Sequence, residues 1–279
     1  MASPSSSPAT IRAGALEVAY DDVGTGPAVV FVHGGLGNRA MWAPQVRALA
    51  TRFRCLAYDL RGHGATRGGE DADAFTPALL RDDLVAFADA LGLGRFSVVG
   101  LSVGGMVAQE LALSHADRLH RLVLADTWAA TVTGDGPRRV AKTVTPFVEG
   151  VLRVVGTGPL AGLAARGMGA SEPEAAELVR EATAGTSPET AIRVWRGLGA
   201  HDVRDRLAGI AVPTLVIAGG RDRNGDQARE IAGRVQHGEL VVIEDAGHIS
   251  NLHAPERFTA ELRRFLSADL DLCSSVQVP

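Results

Sequence analysis

The chain is poor in cysteine, with two in 279 residues: Cys55 in an apolar, strand-like run and Cys273 near the end. Neither has metal-ligand or redox spacing around it, which fits a reducing, cytoplasmic setting. It also has no excess of positive charge. The formal net charge is -4 with acidic and basic residues intermixed, so there is no basic stripe to release counterions from nucleic acid, and nucleic acid is not an expected partner. No apolar run approaches the roughly 20 residues that a membrane-spanning helix requires. The first ten residues are Ser/Pro-rich without a basic start or an apolar stretch, the composition of a disordered lead-in rather than a secretion signal. A soluble protein without internal repeats is expected. The length suits one large α/β domain with a small inserted subdomain.

From about residue 15 onward, strand-like and helix-like patterns alternate, as in a mostly parallel sheet with helices on both faces. The residues from Ala15 to Val23 resemble an early strand, and the Gly24-Thr25-Gly26-Pro27 turn leads into Ala28-Val29-Val30-Phe31-Val32-His33, an apolar run suited to a central strand. A glycine-rich loop, 34–37, follows. Strand patterns recur over 53–59, 96–100, 121–125, 213–218 and 239–244, and helical patterns over 77–91, 104–113 and 255–266. Between about 127 and 200 the composition turns to Ala/Gly/Arg/Glu-rich helical stretches without a clear strand, read as a helical cap inserted over the site. The expected division is a lead-in over 1–10, core over 11–126 and 201–268, cap over 127–200 and a loose tail over 269–279.

The chemistry centres on Gly100-Leu101-Ser102-Val103-Gly104, between a strand and a helix. A serine hydroxyl is a weak nucleophile that needs a base within hydrogen-bond reach and an exposed oxygen. In G-x-S-x-G the serine occupies a sharp, strained turn, and the glycines are required because side chains there would collide with neighbouring elements. The plain alternative is an ordinary strand-to-helix turn that happens to contain serine; motif and context together favour the nucleophile. The loop His33-Gly34-Gly35-Leu36-Gly37 lacks the spacing of either nucleotide-binding glycine motif. It is suited instead to presenting a backbone N–H, first Gly35 or else Leu36, with Val103 N–H at the helix start as the second oxyanion donor.

Eight histidines compete for the role of base. His33, His63, His115, His120, His201, His237 and His253 fall mostly in helices, strand starts or the glycine loop, places of structural or solvated histidines. His248, just after the last strand pattern, joins a strand-end location to the chain order Ser, acid, His. Asp222, after the 213–218 strand, is the first choice of acid to accept the histidine Nδ1–H; Asp126, at the end of the 121–125 strand, is at a comparable edge and is the alternative.

With these residues assembled, the chain resembles the α/β-hydrolase family from about Ala15 to Leu266. The resemblance rests on the 33–37 loop, Tyr58-Asp59-Leu60-Arg61-Gly62-His63-Gly64, Gly100 through Met106, Arg221-Asp222, and Gly247-His248 through Pro255-Glu256-Arg257-Phe258. Within the family it looks most like the 3-oxoadipate enol-lactone hydrolases and similar small esterases, lactonases and cofactor-free haloperoxidases. It departs from relatives at Ala65-Thr66, where serine is common, and after Asp222, where the usual proline is missing.

The resemblance implies two-step acyl transfer by Ser102, His248 and Asp222 on a small ester or lactone, without metal or organic cofactor. Leu36, Met106, Trp128, Phe147 and Trp195, with Met168, are candidate pocket residues, and cap packing explains cap aromatics equally well. Arg138 and Arg139 are candidate anchors for a substrate carboxylate, with solvated surface charge the plainer reading. C–C bond hydrolysis, thioester hydrolysis and perhydrolysis stay open on the same residues, as does a ligand receptor that keeps the fold without turnover. Homo-oligomerisation is left open.

Overall fold

A computed structural model describes residues 8–69, 73–131, 149–151, 153–154, 186–199, 201–222 and 225–268. Eight strands form one sheet: β1 (Ala9–Ala13), β2 (Leu16–Val23), β3 (Ala28–Val32), β4 (Arg54–Tyr58), β5 (Phe96–Leu101), β6 (Leu119–Ala125), β7 (Thr214–Gly219) and β8 (Gly238–Ile243), in the order β1-β2-β4-β3-β5-β6-β7-β8. β1 and β2 pair antiparallel, as do β2 and β4, and every pairing from β4 to β8 is parallel. The main helices among the described residues are α1 (Ala43–Leu49), α2 (Pro77–Ala90), α3 (Val103–Ser114), α4 (Pro188–Leu198), α5 (Gly225–Arg234) and α6 (Pro255–Ser267), and a single helical turn covers Ser250–His253. Among the described residues no helix is long and apolar enough to cross a membrane.

The central strands are apolar on both sides because both sheet faces are covered, and alternation sends successive side chains to different cores. Val30, Val32, Leu56, Tyr58 and Val98 join the core under α2, α3 and α5. Val29, Phe31, Cys55, Ala57 and Val99 join the opposite core, where Trp42 lies between Phe31 and Phe258 against α1 and α6. Cys55 is buried, and burial pushes its thiol up to about 12, which makes it chemically quiet at neutral pH.

The expected strands and helices of the core are present to within a few residues. Ala9 and Thr10, assigned to the lead-in, instead begin β1; its exposed side chains make an edge strand with little apolar pattern to read. α2 begins where Pro77 suggests, and the Thr76 side chain caps it by accepting Leu79 N–H. Of the expected cap, the described ends lie together. Ala130 bridges Asp202, Val203 N–H donates to Ala129 O at 2.8 Å, and the Gln227 side chain accepts from Ala129 N–H at 3.2 Å. Phe147, Met168, Arg138, Arg139 and the 269–279 tail lie outside the described residues.

Parallel pairing from β4 to β8 brings the loops after β3, β5, β6, β7 and β8 to one edge of the sheet, where chemistry in such folds is assembled. A very tight junction there lies between α3 and β3: a Cβ on Gly104 would lie 2.1 Å from Val32 O. Gly104→Ala must therefore push the helix off the strand, and a loss of about 3 kcal/mol is expected in urea unfolding. A wild-type midpoint would show that helix and strand are not in that contact.

Candidate active site

Ser102 stands between β5 and α3 with φ 55° and ψ -116°, a left-handed conformation that costs a non-glycine residue of order 1–3 kcal/mol. Surrounding contacts hold it there. Ser102 N–H donates to Ala125 O at 2.9 Å, and Ser102 O accepts Gly105 N–H at 2.9 Å and Thr127 Oγ1–H at 2.6 Å. The turn closes only because Gly100, Gly104 and Gly105 lack side chains. A Cβ on Gly100 would meet Gly104 O at 2.2 Å, and one on Gly105 would meet Thr127 Cβ at 2.5 Å.

His248 Nε2 is 3.1 Å from Ser102 Oγ, and its Nδ1 is 2.8 Å from Asp222 Oδ2. The geometry assigns the Nδ1 proton to the bond with Asp222, leaving the Nε2 lone pair facing the serine hydroxyl. The Trp128 ring stacks on the imidazole, with centroids 5.0 Å apart and planes at 30°. Burial works to lower the basicity of His248, but the Asp222 hydrogen bond and the charges of Asp126 and Asp222 outweigh it, and the imidazole is raised above its ordinary 6.5.

Asp126, the alternative acid, makes no such bond to His248; its carboxylate accepts from Gly219 N–H, Ser250 N–H and Ser250 Oγ–H. Its burial pushes it up to about 6, against the stabilising influence of His248 and these donors.

The glycine loop is held by two buried histidines. His33 Nε2 accepts Leu60 N–H at 2.9 Å, so Nδ1 carries the proton and donates to Gly34 O at 2.7 Å. The His63 Nε2 faces Gly35 O at 2.8 Å. A trans peptide points its N–H opposite its carbonyl, so these contacts turn the N–H groups of Gly35 and Leu36 away from the histidines. A Cβ on Gly35 would lie 2.7 Å from Val103 Cγ2, which places this loop against the start of α3. Among the described residues, the N–H groups of Gly35, Leu36 and Val103 donate to no backbone acceptor.

The other named pocket residues are spread out. Leu36 packs with Ala191 and Ile192 of α4, and its carbonyl accepts from Thr186 Oγ1 at 3.1 Å. Met106 is fully buried within α3, and Trp195 is 43% exposed on α4. His253 Nδ1 accepts Gly247 N–H, and His201 is buried. Among the described residues no group of three or more His, Cys, Asp or Glu is placed to hold a metal ion. Sequence reasoning misses Thr127, Ser250 and His63 as site residues: Thr127 adjoins Asp126 and His63 lies in a family motif, but their bonds depend on contacts far apart in sequence.

Residues 27–255 match the alpha/beta hydrolase fold family, and the chain belongs to it. Among its relatives, a protein from Caulobacter sp. strain K31 with the provisional name carbamate hydrolase RutD is 32% identical over 269 residues, covering 93% of this chain and 99% of that one. The 3-oxoadipate enol-lactonase 1 of Acinetobacter baylyi is 30% identical over 237 residues, covering 83% and 85%. The crystal structure of the enol-lactonase from Burkholderia xenovorans LB400 superposes with a TM-score of 0.82 at 31% identity, covering 93% of this chain and all of that one.

Among the described residues the Thr127 hydroxyl is the one side-chain tie to the serine carbonyl. Because helix N–H groups remain as donors to that carbonyl, Thr127→Val is expected to lower stability by only about 1 kcal/mol in thermal unfolding. A loss several times larger would mean that Thr127 has a further structural role.

Proposed function

We propose that the protein is a serine hydrolase that cleaves a small carboxylic ester or lactone through an acyl-enzyme on Ser102. The observation that carries this reading is the pair of bonds on His248, 3.1 Å to the hydroxyl of a strained serine and 2.8 Å to Asp222. Enol-lactonases among the relatives support the choice of oxygen esters.

In the first half-reaction Ser102 Oγ bonds to the substrate carbonyl carbon while His248 Nε2 takes the hydroxyl proton. Asp222 holds the imidazole in the competent tautomer and stabilises the imidazolium. Negative charge gathers on the carbonyl oxygen, beside Val103 N–H at the positive end of α3 and the N–H of Gly35 or Leu36. Each such donor contributes about 3 to 4 kcal/mol to the transition state. The C–O bond then breaks and His248 returns the proton to the leaving oxygen. Water, deprotonated by the same Nε2, attacks the acyl carbon, and the collapse of that intermediate restores Ser102 Oγ–H. A ring-opened lactone leaves as a hydroxy or enol acid by the same steps.

The half-buried Leu36 and Trp128 and the buried Ala191 and Ile192 give the described part of the site an apolar character. Such surroundings favour a compact, mostly apolar acyl group. An intact Ser102, His248 and Asp222 set weighs against a receptor without turnover.

Wild-type protein is expected to hydrolyse short-chain p-nitrophenyl esters, and Ser102→Ala to lower kcat by at least about 10⁴-fold. Rates that survive this substitution would overturn the reading. The base works neutral and is raised in the folded protein, so kcat/KM should fall with decreasing pH through a midpoint above 6.5. Asp222→Asn should move that midpoint down and lower kcat by about 10⁴-fold. An unchanged pH profile in this variant would assign the orienting role elsewhere.

A further inference from the structure

Asp126 is a buried carboxylate that the proposed steps do not use. It ends the β6 run, with φ 44° and N–H donating to Ile217 O at 2.9 Å. Its Oδ1 accepts Gly219 N–H at 2.9 Å, and its Oδ2 accepts Ser250 N–H at 2.8 Å and Ser250 Oγ–H at 2.7 Å. Gly219 lies three residues before Asp222, whose N–H closes the turn onto Gly219 O at 3.0 Å. Ser250 lies two residues after His248. Thr127, the chain neighbour of Asp126, grips the Ser102 carbonyl. One side chain thus reaches both loops that bring the acid and the base to the serine.

The three donors also explain why the residue is an aspartate. An asparagine of the same shape has one acceptor oxygen, so its amide N–H₂ must face either Gly219 N–H or Ser250 N–H. An apolar residue would leave all three donors unpaired in the interior. The negative charge is also felt at the imidazole. The groups acting on His248 are Asp222 from the loop after β7 and Asp126 from the end of β6, while His253, on the turn after it, is itself influenced by His248 and Arg221. Asp222 touches the imidazole, and Asp126 acts on it through space and through Ser250.

We propose that Asp126 is a positioning residue, whose carboxylate ties the acid loop to the histidine loop and places a second negative charge near the His248 imidazolium. Its catalytic consequence rests on the serine-hydrolase reading, whereas its electrostatic consequence does not.

The test measures the imidazole titration of His248 by NMR in the full chain, alongside ester kinetics, for wild type, Asp126→Asn and Ser250→Ala. Asp126→Asn is expected to lower the His248 midpoint by about one pH unit and kcat by about 10- to 100-fold, with little change in KM. Ser250→Ala keeps the charge and loosens the loop, so kcat should fall about tenfold while the His248 midpoint stays in place. A folded Asp126→Asn protein with the wild-type His248 midpoint and kcat would overturn the proposal and leave Asp126 a purely structural anchor. If Asp126→Asn does not fold, Ser250→Ala decides: wild-type kcat in that variant overturns the proposal. If hydrolysis survives Ser102→Ala while Asp126→Asn still shifts the His248 titration, the hydrolase reading fails and the link between Asp126 and His248 stands.

Discussion

The backbone of Ser102 is held in a conformation that L-residues avoid, and nearly everything at the sheet edge is arranged around that turn. The left-handed φ lifts the side chain out of the path from β5 into α3, where its oxygen meets His248. Strain of this kind persists only when the surroundings over-determine it. Here the constraint is spatial: α3 must begin against Val32 O, Gly100 against Gly104 O, and Gly105 against Thr127. The same approach that removes three side chains leaves the first N–H groups of α3 without helical partners, at the end of the helix that favours negative charge. The strained serine and the free helix-end donors are consequences of one turn.

The second requirement is that loops from five strands meet at that turn in register. Parallel order supplies the edge but not the fine placement, which comes from buried polar side chains. His33 and His63 contact successive carbonyls of the glycine loop, and Asp126 bonds to both loops that flank it. α4 and the residue before its cap add contacts, through Thr190 to Gly62 O and Thr186 to Leu36 O. Burying these groups has an electrostatic cost, visible in the lowered basicity of His33 and His63, where burial is the largest influence, and in the raised Asp126. Full hydrogen bonding is what makes such burial tolerable.

The parts of this arrangement that follow from local chemistry were legible in the sequence. Apolar runs such as Val29 to Val32 and the G-x-S-x-G glycines have one economical reading, because periodicity and steric exclusion act over a few residues. The chain order Ser102, Asp222, His248 carried the choice between two acids, which the hydrogen bonds of Asp222 and Asp126 then separate geometrically. β1 was missed because an exposed edge strand has no buried face to impose alternation. The roles of Thr127, His63 and Ser250 were hidden for a different reason: each bonds to a backbone group or carboxylate from another loop, and no local pattern encodes such a partner.

The proposed hydrolysis depends first on Ser102 Oγ, activated by His248, as the nucleophile. Its most direct test is to treat the protein with a fluorophosphonate and map the adduct by peptide mass spectrometry. One phosphonyl group is expected on Ser102, formed rapidly in wild type and lost or greatly slowed in His248→Gln. Labelling elsewhere, or labelling of Ser102 at the same rate without His248, would contradict that role.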